Sequence, residues 1–280
     1  MRAFCISIDV ERDYRADGQK SIRGIDEGLP AFLDLLRSHG LPFDLMVSGE
    51  VASEVPLDTN ASFNSLMALG CHGFSHVPGY LNRMDRAAQM ADLRAGTNEV
   101  RLRFDQLPIG FRAPNFSADG DTIQILQELG YRCDSSVLPG RYVRRWRMFP
   151  LVDHRGAPQN PYVPDLERFP KPGSSRILEI PVTPNPALPG GPLGLGFLNA
   201  RGPETFFRAL SATTGRYAVM LAHTWEMVSW SSSDPVAPWV RSAARSDVSL
   251  FEELLSKIDG YEFLNSRQIV ERETRPLGAT

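Results

Sequence analysis

His72 and His76 stand four residues apart in Cys71-His72-Gly73-Phe74-Ser75-His76, in a chain with only five histidines. Imidazoles at i and i+4 on a helical turn project the same way, so the spacing predicts such a turn and two nitrogen donors aimed at one point. A divalent transition ion can take two ligands from one turn in this way and a third, anionic one from elsewhere. Ser7-Ile8-Asp9-Val10-Glu11-Arg12-Asp13 offers carboxylates near the N-terminus. Alternate residues of a strand share a face, so Asp9 and Glu11 would project together. Two such carboxylates suit a division of labour, one binding metal and the other staying free as a base. Taken alone, a histidine pair at this spacing is more often two surface or capped side chains, and the acids read as a plain strand end.

Three more segments could aim at the same place. Gly110-Phe111-Arg112-Ala113-Pro114-Asn115-Phe116 closes a strand on an arginine, which can orient a carboxylate. Its proline stiffens the following loop and holds that loop's backbone N–H groups in place. Phe116 is assigned here as a substrate contact. Asp134-Ser135-Ser136 is a further strand end, and Val219 to His223 is an apolar strand ending in a candidate general acid. Trp225, Trp230 and Trp239 can stack on a sugar ring or pack a loop. The plainer readings are a salt bridge for Arg112, a turn acid for Asp134 and a hydrogen-bonded core imidazole for His223. In Arg141-Tyr142-Val143-Arg144-Arg145-Trp146-Arg147, four arginines and two aromatics could hold a phosphate, a sugar face or an acidic lipid headgroup, or could form a solvated loop. Arg144 and Arg145 are assigned as substrate contacts, and Arg141 and Arg147 are grouped with them.

The elements that must position these residues follow from periodicity. Strands are expected over 3–10, 42–47, 131–135, 177–182, 217–221 and 261–264, with a strand end at 109–112. Helices are expected over 27–39, 61–69, 85–104, 119–129, 203–210, 249–258 and 266–273, the first closed by Gly40 and the fourth by Gly130. Alternating strands and helices imply an α/β fold with a mostly parallel sheet or barrel, whose strand ends gather at one face. From Leu138 to Gly194 prolines and glycines crowd together, which reads as an elaborated loop over that face rather than a boundary. Residues 1–273 are expected to form one domain with an insertion at about 138–195, and 274–280 a frayed tail.

Composition narrows the partners. The 280 residues are 42% hydrophobic and 22% charged, with a net charge of −3. That balance fits a soluble globular chain and gives no electrostatic reason to expect nucleic acid. Three cysteines in apolar surroundings, none in a CxxC pair, read as buried free thiols. No apolar run reaches membrane-spanning length, and strand-like sequence follows Met1-Arg2 directly, so a cytoplasmic location is expected, with peripheral contact at the inner membrane face left open.

The order Asp-x-Glu, His-Gly-x-Ser-His, Arg-Ala-Pro-x-Phe, Asp-Ser-Ser and Leu-x-His resembles the polysaccharide deacetylase family with the NodB homology domain (carbohydrate esterase family 4). Gly110 to Ser117, Gly130 to Pro139 and Leu178 to Val182 resemble its exopolysaccharide-associated branch, and Arg23 to Gly40 its aminoarabinose-deformylase branch. The resemblance covers the chain to about residue 270. It implies a distorted (β/α)7 barrel with one divalent ion at the strand C-termini, held by His72, His76 and Glu11, with Asp13 as the fallback ligand. Asp9 becomes the base, Arg112 the residue that holds it, and His223 the acid, with Asp134 tuning His223. The usual first motif has adjacent aspartates, whereas this chain has Val10 in the second position. Zn²⁺ suits two imidazoles and one carboxylate, and Fe²⁺, Co²⁺, Mn²⁺ or Ni²⁺ fit the same donors. The implied activity is removal of an acetyl or formyl group from the nitrogen of an amino sugar, nucleotide- or lipid-linked, during surface polysaccharide assembly. Arg144, Arg145, Phe116 and Trp225 would contact it. Hydrolysis of a non-sugar amide C–N bond, or a barrel that binds carbohydrate without catalysis, are the alternatives. Oligomeric state is not legible.

Overall fold

The computed structural model describes residues 2–56, 65–76, 79–146 and 148–275. Its centre is β1 (Ala3–Val10), buried on both faces as an uninterrupted apolar strand of a parallel sheet should be. β2 (Phe43–Val47), β3 (Met67–Cys71), β4 (Gly110–Phe111), β5 (Cys133–Asp134) and β8 (Leu178–Glu179) follow on one side in that order, all parallel. β9 (Tyr217–His223) runs parallel to β1 on the other, and β10 (Glu262–Phe263) pairs the start of β1. The sheet curls until its far end meets β9, where the Thr183 N–H donates to the Val219 carbonyl at 3.1 Å. The architecture is a distorted (β/α)7 barrel.

Strand alternation decides what faces where. Phe4, Ile6, Ile8 and Val10 pack into the core shared with the helices, as do Ala218, Met220 and Ala222. Ala3, Cys5, Tyr217, Val219 and Leu221 fill the barrel interior. Ser7, Asp9 and Glu11 continue the first interior series, and His223 continues the second. Val10 is fully buried on the helix side, which is why an acid at that position could not reach the interior and why Glu11 can.

The helices are α1 (Leu29–Ser38), α2 (Arg86–Phe104), α3 (Gly120–Glu128), α4 (Leu195–Arg201), α5 (Pro203–Ser211), α6 (Pro238–Ala243), α7 (Ser249–Lys257) and α8 (Ser266–Glu273). α1 buries Leu29, Phe32, Leu33, Leu35 and Leu36, the stripe expected for its period. Asp85 caps α2 by accepting from the Ala88 N–H at 2.8 Å, and Asp119 with Thr122 forms a capping box on α3. None of the described helices is long and apolar enough to cross a membrane.

Several expectations need correction. Met67 to Leu69 belong to β3 rather than to a helix over 61–69, because the apolar run pairs with β2; positions 61–64 lie outside the described residues. The region 138–195 contains more than one strand: β6 (Tyr142–Arg145) and β7 (Phe149–Asp153) form an antiparallel hairpin with a bulge at Val143/Arg144. Short α4 and α6 were not legible from periodicity. Segment 138–195 packs closely on the start of α3 at Gly120, where a Cβ would overlap the Leu166 carbonyl. All three cysteines are free and buried. Of the predicted tail, 276–280 lies outside the described residues, while Thr274 caps α8, its N–H and hydroxyl both donating to the Val270 carbonyl.

Candidate functional site

Asp9 at the end of β1, Glu11 just beyond it, His72 after β3, Arg112 after β4 and His223 at the end of β9 all emerge at the C-terminal face of the sheet. Asp9 and His223 are register partners across β1 and β9. His72 and His76 are not on a helix. They bracket a loop that turns at Gly73 (φ +70°), and backbone packing fixes that loop. The Gly49 and Glu50 N–H groups donate to the Gly73 and Phe74 carbonyls at 2.9 Å each, and the Phe74 N–H donates to Asp92 at 3.1 Å. α2 can press on the loop only because Gly96 has no side chain, since a Cβ there would fall 2.5 Å from the Gly73 carbonyl oxygen.

The result is three donor atoms at one point. His72 Nε2 and His76 Nε2 are 3.0 Å apart, and Glu11 Oε2 lies 2.5 Å from His76 Nε2 and 3.6 Å from His72 Nε2. One ligand-type atom from each of the three residues lies within 4.8 Å of the other two. His72 Nδ1 is 2.8 Å from the Arg112 carbonyl, which assigns its hydrogen to Nδ1 and leaves Nε2 as the electron-pair donor. Glu11 Oε1 accepts from Trp225 Nε1 at 3.0 Å, so the indole aims the carboxylate. Burial would raise the Glu11 carboxyl, but His76 and His72 hold it well below the usual carboxylate range. Glu11 in turn raises His76 against the effect of its burial.

Asp9 is held differently. Its Oδ1 accepts from Arg112 Nη1 at 2.5 Å. Arg112 also donates from Nε to the Ser135 carbonyl at 3.0 Å, and from Nη2 to the Ser7 and Ser135 hydroxyls at 2.9 and 2.8 Å. Arg112 and Asp9 are almost completely buried. Asp9 Oδ2 is left facing the cluster, 3.8 Å from His72 Nε2 and 3.9 Å from His223 Nε2.

His223 stacks on Trp225 with ring centroids 5.0 Å apart, and its Nδ1 lies 3.3 Å from Glu226 Oε1. The other Glu226 oxygen accepts from the His223 backbone N–H at 2.9 Å. Burial would lower the His223 pKa, yet Glu226, Glu11 and Asp9 raise it to about 9. Near neutral pH the ring therefore carries its proton and can donate it.

Two assigned residues go elsewhere. Asp134 does not reach His223: it accepts from the Ser136 hydroxyl at 2.5 Å, and Ser136 in turn accepts from the Ala113 N–H at 2.8 Å. Burial raises its pKa and, with the Asp134 charge, holds neighbouring Glu179 well above the carboxylate range. Glu226 occupies the place predicted for Asp134. The acid three residues after His223 in a capping-box spacing was the available signal. Asp13 is no ligand either, because its carboxylate accepts from the Ser21 hydroxyl, the Arg23 N–H at 2.7 Å and the Gly24 N–H at 3.0 Å, which folds the chain into α1.

These groups form the floor of a cleft of about 720 Å³. Phe116 and Trp225 line it, joined by Tyr14 and Trp239, which are more than half exposed. Arg144 and Arg145 do not line it. They lie exposed on β6, over the rings of Tyr142 and Trp146. Arg147 lies outside the described residues. Arg141, at the root of the hairpin, is the member of that arginine run that reaches the cleft.

Residues 17–133 match the profile of the polysaccharide deacetylase family. A peptidoglycan deacetylase-like protein of Gibberella zeae is 26% identical over 174 residues, 58% of this chain and 49% of that one, so the chain spans about half the length of the curated relative it matches. A putative polysaccharide deacetylase from Mycobacterium smegmatis superposes with a TM-score of 0.65 at 16% identity, covering 100% of this chain and 94% of the other. An allantoinase superposes with a TM-score of 0.63 at 13% identity, covering 98% and 91%. The profile match covers less than half of the chain, and the two solved structures, at 16% and 13% identity, share its fold. The matched span carries His72, His76 and Arg112, whereas Asp9, Glu11 and His223 lie outside it and are joined to it by strand pairing.

Proposed function

We propose that this chain is a metal-dependent hydrolase that removes an N-acyl group, acetyl or formyl, from an amino sugar. The observation that carries the reading is the convergence of Glu11 Oε2 and the two Nε2 atoms at the floor of the cleft, with Asp9 and His223 beside them. The donor set fits a divalent ion such as Zn²⁺. It is two imidazoles and one carboxylate, and Glu11 Oε2 is buried without a hydrogen-bond donor apart from the imidazole nitrogens. When bound, such an ion supplies Lewis acidity and lowers the pKa of a coordinated water.

The chain's own residues do the rest. Arg112 anchors one oxygen of Asp9 and leaves Oδ2 free to take the proton of the attacking water. The water oxygen bonds to the acyl carbon, and the C–N bond then breaks. His223 hands its proton to the departing nitrogen, and Glu226 keeps that proton available. In the Pro114–Phe116 loop, Pro114 has no N–H and the Phe116 N–H is already bonded to the Ala113 carbonyl at 2.9 Å. That leaves the Asn115 N–H as the loop's backbone donor for the oxyanion. We place the substrate among intermediates of surface polysaccharide or lipid-linked sugar biosynthesis in the cytoplasm, with residues 1–273 acting as one domain and 138–195 supplying part of the cleft wall.

The test is release of acetate or formate from a panel of N-acyl sugars, nucleotide sugars and chito-oligomers, with chelator and with added Zn²⁺. Release that chelator abolishes and Zn²⁺ restores is expected. Turnover of allantoin but of no sugar would move the chain to non-sugar C–N hydrolysis. Sugar binding by metal-free protein without any turnover would make it a binding module.

A further inference from the structure

Among the described residues, no carboxylate pairs with Arg141 at the cleft wall. Three arginines line the cleft, Arg112, Arg141 and Arg201, and Arg112 is paired with Asp9 at 2.5 Å. Arg141 has no such partner among the described residues. Its Nη1 donates to the Gly190 carbonyl at 3.1 Å, its Nε is buried with no partner, and its Nη2 makes no bond to a described residue. A half-buried guanidinium whose Nη2 is neither bonded nor closed off, while its Nε is shut behind it, offers the cleft charged N–H donors for an anion. Leaving such donors unsatisfied in a protein wall is costly unless something fills them.

The surroundings hold Arg141 in place. Its guanidinium lies over the Phe116 ring, 5.4 Å from the centroid, and Gly190 (φ +77°) turns its carbonyl to meet Nη1. His154, buried nearby, donates no charge: burial and then Arg141 itself lower its pKa to about 4, and its Nδ1 accepts from the Leu138 N–H at 3.1 Å. A second arginine without a carboxylate partner among the described residues, Arg201, lines the same cleft and is exposed. The acids of the cleft are Asp9, Glu11 and Glu226, all grouped at the floor. The cleft therefore carries two arginines without a carboxylate partner among the described residues, beside the carboxylates of its floor.

We propose that Arg141 is an anion anchor and that the substrate is an N-acyl amino sugar carrying an oxyanion, phosphoryl or carboxyl, bound at the guanidinium through Nη2 while the acyl group lies at the Glu11–His72–His76 floor. This rests on the deacylase reading above and adds the substrate's charge to it. It also assigns the cleft's specificity to one residue of the arginine run rather than to the run as a whole.

The test compares N-acetylglucosamine 1-phosphate, a nucleotide-linked N-acetyl sugar, an N-acetylated disaccharide containing a uronic acid, and neutral chitotriose. Binding is measured by calorimetry and turnover by acetate release. The wild type should prefer the anionic ligands, and Arg141→Ala should lower the anionic-to-neutral ratio of kcat/KM roughly 10- to 100-fold, the worth of one charge-assisted pair. Arg141→Lys, which keeps the charge but loses the planar guanidinium over Phe116, should fall between, and Arg144→Ala should keep the wild-type ratio. Phosphate and uronate arms tell the two oxyanions apart. Equal losses on neutral and anionic ligands in both Arg141 variants, or no change in the ratio, would overturn the proposal while leaving deacylation intact. Arg141-dependent binding of the anionic sugars without acyl release would instead overturn deacylation and keep the anchor.

Discussion

At the strand ends, Arg112 makes four side-chain hydrogen bonds, to Asp9, Ser7 and Ser135, and is nearly inaccessible. On the hairpin, Arg144 and Arg145 make no side-chain hydrogen bond to described residues and rest on neighbouring rings in solvent. The same residue type is a fixed part in one place and a solvated one in the other. The difference is whether the backbone under it belongs to the parallel ladder. β4 is bracketed by β3 and β5, so the position of Arg112 is dictated from both sides. β6 pairs only with β7, and the hairpin takes its place from a few loop contacts. Arg141 lies between these extremes, anchored at its root by Gly190 and Phe116.

That contrast can be broken or sharpened by measurement. The largest effect is expected for Glu11→Gln, which removes the only anionic donor of the cluster. Bound metal by elemental analysis should drop to trace, and acyl release should fall by about a thousandfold or more. Full metal content in this variant would move the site elsewhere. Next comes Arg112→Met. It leaves Asp9 buried without its cation, which should cost about 3–5 kcal/mol in denaturant unfolding. A loss below 1 kcal/mol would show that the strand-end network is looser than its geometry.

The insertion gives an intermediate, pH-dependent effect through His154. Its folded pKa, about 4, lies below the ordinary 6.5 because burial and then Arg141 disfavour the charged ring. Stability linked to this group is present above pH 6.5 and is lost as pH falls toward 4, because only the unfolded chain takes the proton, to a limit of about 3 kcal/mol. His154→Gln should flatten that slope in urea unfolding measured from pH 7 to 4. An unchanged slope would mean that the ring is solvated.

Trp225→Phe removes the N–H that aims Glu11 and should weaken metal affinity roughly 10- to 100-fold, read by chelator competition. An unchanged affinity would mean that Glu11 needs no such support. The smallest effect is expected for Arg144→Ala with Arg145→Ala: less than about twofold on KM, as for an exposed pair. A larger rise would put the hairpin back into the site.

The sequence was legible where structure is periodic. The apolar run Phe4 to Val10 identified β1, the Leu29–Leu36 stripe identified α1, and the Asp9-x-Glu11 alternation predicted a shared face. The i, i+4 spacing of His72 and His76 brought the right pair to notice for a reason the structure does not use. The two meet across a glycine turn held by Gly49 and Gly96, not on a helix. Hairpin β6–β7 was hidden because a proline- and arginine-rich stretch lacks the apolar alternation that marks strands. By sequence the resemblance points to Asp134, at a strand end, as the partner of His223, and Glu226 goes unnoticed. Only the ladder shows that β5 delivers Asp134 behind Arg112 and that a single turn delivers Glu226 to the imidazole.

The chain by itself determined which side chains face inward, because a strand's two-residue period is set locally by backbone geometry. Its short motifs in fixed order also carry the resemblance to the polysaccharide deacetylases, whose profile matches residues 17–133. Tertiary structure alone decided which of several carboxylates and arginines meet: Glu11 rather than Asp13 at the histidines, Glu226 rather than Asp134 at His223, Arg141 rather than Arg144 at the cleft. Those choices depend on contacts between residues as much as two hundred positions apart, such as Glu11 with Trp225. Their distances are fixed by sheet register and by where backbones can approach, quantities that no local stretch of sequence carries.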